Sequence, residues 1–156
     1  MLQIEVAEDD PKGFQLFCEA YGSKCQIIGD DFLVTNADRV RAAAQAGSVN
    51  AVLIKPNQAG TLTEAHAALE AGKNAGFGTI VSARSGESED TTIAHLAVGW
   101  DAGQLKVGSF SRSERMAKWN EVLRIEESLG SEARFWGWDA LPFKRLSDLQ
   151  HKGSMT

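Results

Sequence analysis

Positive charge is what this sequence is short of. It carries 16 lysines and arginines against 21 aspartates and glutamates, a net charge of −5. A general nucleic-acid binder needs a basic footprint, so the balance argues against that class. Any preference for anions has to be local. Long apolar runs are missing too, and none approaches the roughly 20 residues of a membrane-spanning helix. Glu5, Glu8, Asp9 and Asp10 break up the opening stretch, so no secretory leader is expected. Cysteine is scarce: Cys18 and Cys25 stand in apolar contexts without C-x-x-C spacing. They are expected to be reduced core residues of a cytoplasmic protein. A chain of 156 residues is normally one domain and long enough to bury a real core.

What is present is a repeated architecture without a repeated sequence. Short apolar runs alternate with helical patterns. Leu2 to Val6 is followed by Asp10-Pro11, an N-cap with proline in the first turn, then a stripe of Phe14, Phe17, Cys18 and Tyr21 ending at Gly22. Cys25 to Gly29 leads through the cap Asn36 to Val40, Ala43, Ala44 and Gly47. Ala51 to Lys55 precedes a capping box at Thr61-Leu62-Thr63-Glu64, with Ala65, Ala68 and Leu69 turned inward. Thr79 to Ser82 precedes Asp90, expected to cap a helix carrying Ile93, Leu96, Ala97 and Trp100. The run around Leu105 precedes Ser111-Arg112-Ser113-Glu114, read as another capping box. Its helix is expected to carry Met116, Trp119, Leu123 and Glu126 along one stripe and to stop at Gly130.

Strands that are apolar throughout are buried on both faces, and strands alternating with helices pair in parallel. About five β-α units are legible, against eight in a closed barrel. The fold class is α/β: an incomplete barrel or a small open sheet. Residues 131–156 show no clear period, and Phe135, Trp136 and Trp138 are expected to cover an edge or seam.

Reactive residues close the apolar runs. Asp30-Asp31, Lys55, Arg84-Ser85 and Lys106 all fall where a strand would end. In β-α sheets ligands bind at the carboxyl ends of the strands. One acid, two lysines and an arginine on one rim suggest a site for a multiply charged anion and a metal. Taken singly, Asp30 and Asp31 could cap a turn, Lys55 could be an edge lysine, and Arg84 could be a surface ion-pair partner. His66 and His95 lie inside helix patterns and read as packed or solvated. Glu87, Glu89 and Asp90 read as loop and helix-cap acids.

The segments Gly29-Asp30-Asp31-Phe32-Leu33-Val34-Thr35-Asn36, Leu53-Ile54-Lys55-Pro56-Asn57-Gln58 and Ser85-Gly86-Glu87-Ser88-Glu89-Asp90-Thr91 resemble enolase signatures. So do Gly103-Gln104-Leu105-Lys106-Val107-Gly108 and Arg112-Ser113-Glu114-Arg115. The likeness runs from about Glu8 to Gly130. It implies the C-terminal part of a (β/α)8 TIM-type barrel over residues 1–130, with residues 131–156 as a tail on or beside it. It also implies a magnesium-dependent carbon–oxygen lyase interconverting 2-phosphoglycerate and phosphoenolpyruvate in glycolysis. By resemblance Lys55 is the base, Lys106 the second lysine on the carboxylate side, and Arg84 and Ser85 the phosphate clamp. Asp30 is a magnesium ligand and Glu5 the next one. Enolase-superfamily sites use a lysine or histidine base with Mg2+. Nearby cations lower a lysine's pKa far enough for such a role.

Two departures from the family pattern stand out. Ala83 occupies the place of a histidine in the Ser-x-Arg-Ser-Gly segment, and the stretch after Glu5 is shortened. The family's amino-terminal domain and first strands, which supply the general-acid glutamate and another metal carboxylate, have no counterpart in these residues. The chain is therefore expected to be a fragment, inactive alone, that forms a homo-oligomer or pairs with a complementing N-terminal half. An altered phosphorylated or phosphonate substrate, and a non-catalytic remnant, stand as the alternatives.

Overall fold

The computed structural model describes residues 6–143, so Glu5, most of the expected first strand and His151 lie outside the described residues. Helix α1 (Pro11–Tyr21) starts as its sequence requires. The Asp10 carboxylate accepts the Gly13 N–H at 2.7 Å, and Pro11 sits in the first turn. Strand β1 is only Ile28–Gly29, shorter than the apolar run that contains it. Helix α2 (Ala37–Ala46) is capped by Asn36, whose side chain accepts from the Asp38 and Arg39 N–H groups. It stops at Gly47, whose φ of 63° is a left-handed conformation that costs glycine little.

Strand β2 (Ala51–Ile54) is followed by a one-turn helix, α3 (Pro56–Ala59), which the periodicity does not announce. Helix α4 (Leu62–Asn74) is capped by Thr61, which accepts the Glu64 N–H and donates its own hydroxyl to the Glu64 carboxylate at 2.7 Å. Ala65, Ala68 and Leu69 are buried on it as the stripe requires. Strand β3 (Gly78–Ser82) and helix α5 (Thr92–Gly99) come next. Thr91 takes the N-cap position of α5 without a side-chain bond, and the Asp90 carboxylate accepts the Thr92 N–H at 2.9 Å just ahead of it, as its place in the sequence suggests. That bond holds the Asp90 carboxyl below the usual carboxylate range.

Strand β4 (Gln104–Lys106) and helix α6 (Ser113–Leu129) complete the set. The start of α6 departs from expectation. Arg112, at φ 75°, precedes the helix, and no side chain caps it. The Ser111 hydroxyl pairs with Ser109, and Glu114 is bound to Arg112 at 2.8 Å, so the two ends of the expected capping box are spent elsewhere. The expected stripe is also displaced. Leu123 is 61% exposed, whereas Lys118, charged and unremarked in the sequence pattern, is 1% exposed. The two cysteines are free, and both are half-buried instead of lying in the core. Burial, with a smaller push from Cys25, raises the Cys18 thiol above its usual range.

Among the described residues the sheet has four strands in the order β1-β2-β3-β4, all parallel. Period-two alternation gives it two distinct faces. Val52, Ile54, Val81 and Leu105 pack with Val40, Ala65, Ala68, Leu69 and Ala97 of the helices. Ala51, Leu53 and Ile80 form a second cluster with Ile28 on the opposite face. The sheet is curled around that second face. Gln26 and Gln104, at the amino ends of β1 and β4, exchange amide hydrogen bonds of 3.1 and 2.8 Å. Strands three places apart on a flat sheet are about 14 Å apart, too far for side chains standing parallel to meet in this way.

After α6 the chain makes two single 3-10 turns, Gly130–Glu132 and Gly137–Ala140. The Trp136 indole donates to Asp101 at 2.9 Å, and the Gln104 amide donates to the Ala140 carbonyl at 2.9 Å. The described part of the tail, through Trp136 and Ala140, therefore stands beside β4. It does not seal that edge. A cavity of about 690 Å³ lies between β4, α5, α6 and the tail, lined by Leu105, Trp119, Trp136 and Trp138 among others.

Leu69 is fully buried between helices and sheet. Leu69→Ala is expected to cost about 2–5 kcal/mol in urea unfolding. Leu123→Ala, on the exposed side of α6, is expected to fall within about 0.5 kcal/mol of the unsubstituted chain.

Candidate active site

Alternation along the strands delivers charged residues to the concave face. On β2, Ala51 and Leu53 face the inner cluster, and Lys55 follows in the same series. Asp30 stands two residues beyond Ile28, and Lys106 two beyond Gln104. The geometry of one pair confirms the placement: the Lys55 ammonium lies 2.5 Å from the Asp30 carboxylate, spanning the carboxyl ends of β1 and β2. Lys55 is 8% exposed and the Asp30 side chain 30%, so water reaches the pair from the Asp30 side.

The backbone around Lys55 is fixed by a residue the sequence reading passed over. Thr35 is 2% exposed and lies with Val34 in a left-handed stretch, at φ 52° and 46°. Its hydroxyl accepts the Lys55 N–H at 3.1 Å and donates to the Gln58 side chain at 2.7 Å. Left-handed backbone is costly for a β-branched residue and persists only where surrounding contacts over-determine it. Here those contacts tie the β1–α2 loop to the end of β2. A threonine immediately before a helix cap, inside a segment already singled out, was the available signal.

Lys106 pairs in register with Ser82 across β3 and β4, which sets it at the same end of the sheet. Arg84 and Ser85 begin the loop that leaves β3. Among the described residues, the Arg84 guanidinium, the Ser85 hydroxyl and the Lys106 ammonium make no hydrogen bond or ion pair, in contrast to Lys55 and Asp30. Ala83 is 8% exposed, and its N–H donates to the Lys106 carbonyl at 2.9 Å. The rim thus presents three cations, of which only Lys55 is paired with a carboxylate, so most of the positive donors are uncommitted. That arrangement suits an anion with several oxygens.

The acids of the β3–α5 loop serve the loop itself. Glu87 accepts the Arg84 N–H at 2.6 Å and pairs with Lys118 at 2.9 Å. The histidines stand on helices: His66 is tilted against Trp100 with ring centroids 5.1 Å apart, and His95 bonds Glu121 at 2.9 Å. Both fit the packed or solvated reading. For a metal, Asp30 offers one hard oxygen not engaged by Lys55. Among the described residues no group of three or more histidine, cysteine, aspartate or glutamate side chains converges. One carboxylate fits a partial magnesium site, since that ion keeps several waters and uses substrate oxygens.

Residues 2–143 match the family model for enolase, C-terminal TIM barrel domain. The match spans every described element. Four parallel strands with their helices are half the complement of an eight-stranded barrel.

Thr35→Val keeps the shape of the side chain and removes its hydroxyl. It leaves the buried Lys55 N–H and the Gln58 carbonyl oxygen without their partner, an expected cost of about 1–3 kcal/mol. Thr35→Ser retains the hydroxyl and should lie closer to the unsubstituted chain. Chemical denaturation of the two variants side by side measures the difference.

Proposed function

The chain belongs to the family of the enolase C-terminal TIM barrel domain, and from that premise we propose that it supplies the proton-abstracting half of a magnesium-dependent carbon–oxygen lyase site. The substrate class is a small phosphorylated carboxylic acid, with dehydration of 2-phosphoglycerate to phosphoenolpyruvate as the leading reaction. The observation that carries this reading is the rim itself. Lys55 and Asp30 are in contact, and Arg84, Ser85 and Lys106 stand uncommitted at the same end of the sheet.

Each residue has a task its chemistry suits. The Arg84 guanidinium and the Ser85 hydroxyl donate to phosphate oxygens. Lys55 takes the proton from the carbon next to the carboxylate, which requires a neutral amine, so its contact with Asp30 must open and its ammonium proton pass to solvent first. Lys106 stands where negative charge grows on the carboxylate as that proton leaves. Asp30 would hold magnesium, with Glu5 as a further ligand. When bound, the ion supplies positive charge at the substrate carboxylate.

Departure of the hydroxyl needs a proton donor, a role the family gives to a glutamate of its amino-terminal domain, and neither engaged carboxylate at the rim is free to replace it. Asp30 is paired with Lys55, and Glu87 is locked by Lys118 and the Arg84 N–H. The donor has to come from a complementing half or a second copy. The free edge of β4 and the cavity beside it are where such a partner would dock. A cytoplasmic setting accords with this chemistry, and no helix among the described residues is long and apolar enough to cross a membrane.

Ala83 favours a second reading. A buried methyl group occupies the position where the family places histidine, so the site has one donor fewer for a phosphorylated substrate. An enolase-like reaction on a different phosphorylated or phosphonate acid answers to that change. A scaffold without turnover is the remaining outcome.

The chain alone is expected to show no measurable dehydration of 2-phosphoglycerate. Loss of a general acid by itself costs about 10²–10⁴-fold. Co-expression with an enolase N-terminal half should restore turnover, Lys55→Ala should abolish the rescue, and Ala83→His should raise it or shift substrate preference. Turnover by the isolated chain that survives Lys55→Ala would remove Lys55 from the chemistry. Rescue failing in every pairing would leave the scaffold reading.

Magnesium should bind the isolated chain weakly, because the site holds too few oxygens without substrate. Titration calorimetry detecting a submicromolar magnesium site would contradict the half-site reading.

A further inference from the structure

We propose that Arg115 and Lys118 are positioning residues that set the Arg84–Ser85 backbone against the strand carrying Lys106. The proposal rests on the functional reading above, since it concerns the loop assigned to phosphate.

Arg115 reaches from α6 into two loops at once. Its guanidinium donates to the Arg84 carbonyl at 2.9 Å, the Val107 carbonyl at 2.8 Å and the Ser85 carbonyl at 2.9 Å. Arg84 and Ser85 are the proposed clamp, and Val107 directly follows Lys106. The guanidinium presents its donors in a rigid planar fork, so one side chain fixes the spacing between the two segments. A lysine in its place is a single point of charge and cannot hold three carbonyls in that plane.

Lys118 stands three residues on along the same helix, where i and i+3 side chains are neighbours. Its side chain is 1% exposed, and its ammonium meets the Ser88 carbonyl at 2.8 Å, the Glu114 carbonyl at 3.1 Å and the Glu87 carboxylate at 2.9 Å. Those contacts account for all three ammonium donors. The other Glu87 oxygen accepts the Arg84 N–H at 2.6 Å. Arg84 is therefore gripped at its N–H through Glu87 and Lys118, and at its carbonyl by Arg115.

The contrast with the side chains is what points to positioning. The backbone of Arg84 and Ser85 is held on both sides, while the Arg84 guanidinium and Ser85 hydroxyl have no partner among the described residues. A buried ion pair is a poor source of net stability, and apolar residues of similar volume often do as well. Spending a buried lysine, a carboxylate and an arginine fork on one short loop fixes its geometry. Fixed donors bind an anion without first losing conformational freedom.

The test uses the full chain, inorganic phosphate as the probe, and the backbone amide signals of Arg84 to Gly86 in NMR titrations. Arg115→Lys keeps the charge and loses the fork. Lys118→Met with Glu87→Gln removes both members of the buried pair together, so neither charge is left alone. Phosphate affinity is expected to fall roughly tenfold in each, with faster amide exchange over residues 84–88 and unchanged protection in α2 and α4. Phosphate affinity equal to that of the unsubstituted chain in both variants would overturn the positioning role while leaving the functional reading standing. An unsubstituted chain whose Arg84 to Gly86 signals ignore phosphate would overturn the functional reading, and the positioning role with it.

Discussion

Because successive residues of a strand face opposite ways, the place of each side chain on this sheet is decided by its parity. Val52 and Ile54 pack into the helix layer with Val40, Ala65, Ala68 and Leu69. Lys55 therefore cannot. A slip of one residue in β2 would drive the lysine into that apolar layer and put Ile54 on the rim. Burying an unpaired ammonium costs several kcal/mol, and exposing Ile54 forfeits about 1.5–3 kcal/mol of burial. The apolar residues aim the charged ones. Each strand repeats this arrangement, so Asp30 and Lys106 share the concave face by the same rule that buries Val81 and Leu105 against the helices.

Much of this was legible in the sequence, and the parts that were not share a cause. The caps at Asp10, Asn36 and Thr61 act within one turn, so short-range pattern finds them. Uniformly apolar Ala51–Ile54, and Thr79–Ser82 with Ile80 and Val81 at its centre and no charge, announce strands covered on both faces. The charged residues that close the strands are visible in the sequence because strand ends are local events. What escaped depends on partners distant in the chain. Thr35 matters through Lys55 and Gln58, Lys118 through Glu87 and Ser88, and Arg115 through carbonyls about 30 residues away. Helical periodicity singles out Met116, Trp119 and Leu123 because it weighs hydropathy and cannot see a loop that lends an ammonium two acceptors. The box at Ser111–Glu114 failed for a related reason: Ser109 and Arg112 offered those side chains nearer partners.

On the proposed function, the contact between Asp30 and Lys55 is a resting state that the reaction has to break. The Asp30 oxygen that meets Lys55 cannot also ligate a cation, and a paired ammonium has no lone pair with which to take a proton. For Lys55 to act as the base, its contact with Asp30 would have to open and its ammonium proton pass to solvent, and the same opening would leave the Asp30 carboxylate free to hold magnesium. Thr35 matters here because it holds the Lys55 backbone from the far side of the ion pair. When Asp30 leaves, the lysine stays aimed by its main chain.

Charge then says what the site is waiting for. The chain carries a net charge of −5, yet its rim sets Lys55, Arg84 and Lys106 against Asp30. A positive patch on a negative body focuses its field on the one place an anion is wanted and discourages polyanions elsewhere. Three cations converging on one end of a sheet repel one another, and two of them have no partner among the described residues. Bracing the backbone from α6, as Arg115 and Lys118 do, holds the loop in spite of that repulsion and leaves the side chains free to answer it. On the proposed function, the neutralising charge arrives as a phosphorylated carboxylate, as carboxylates from a complementing half, or as both.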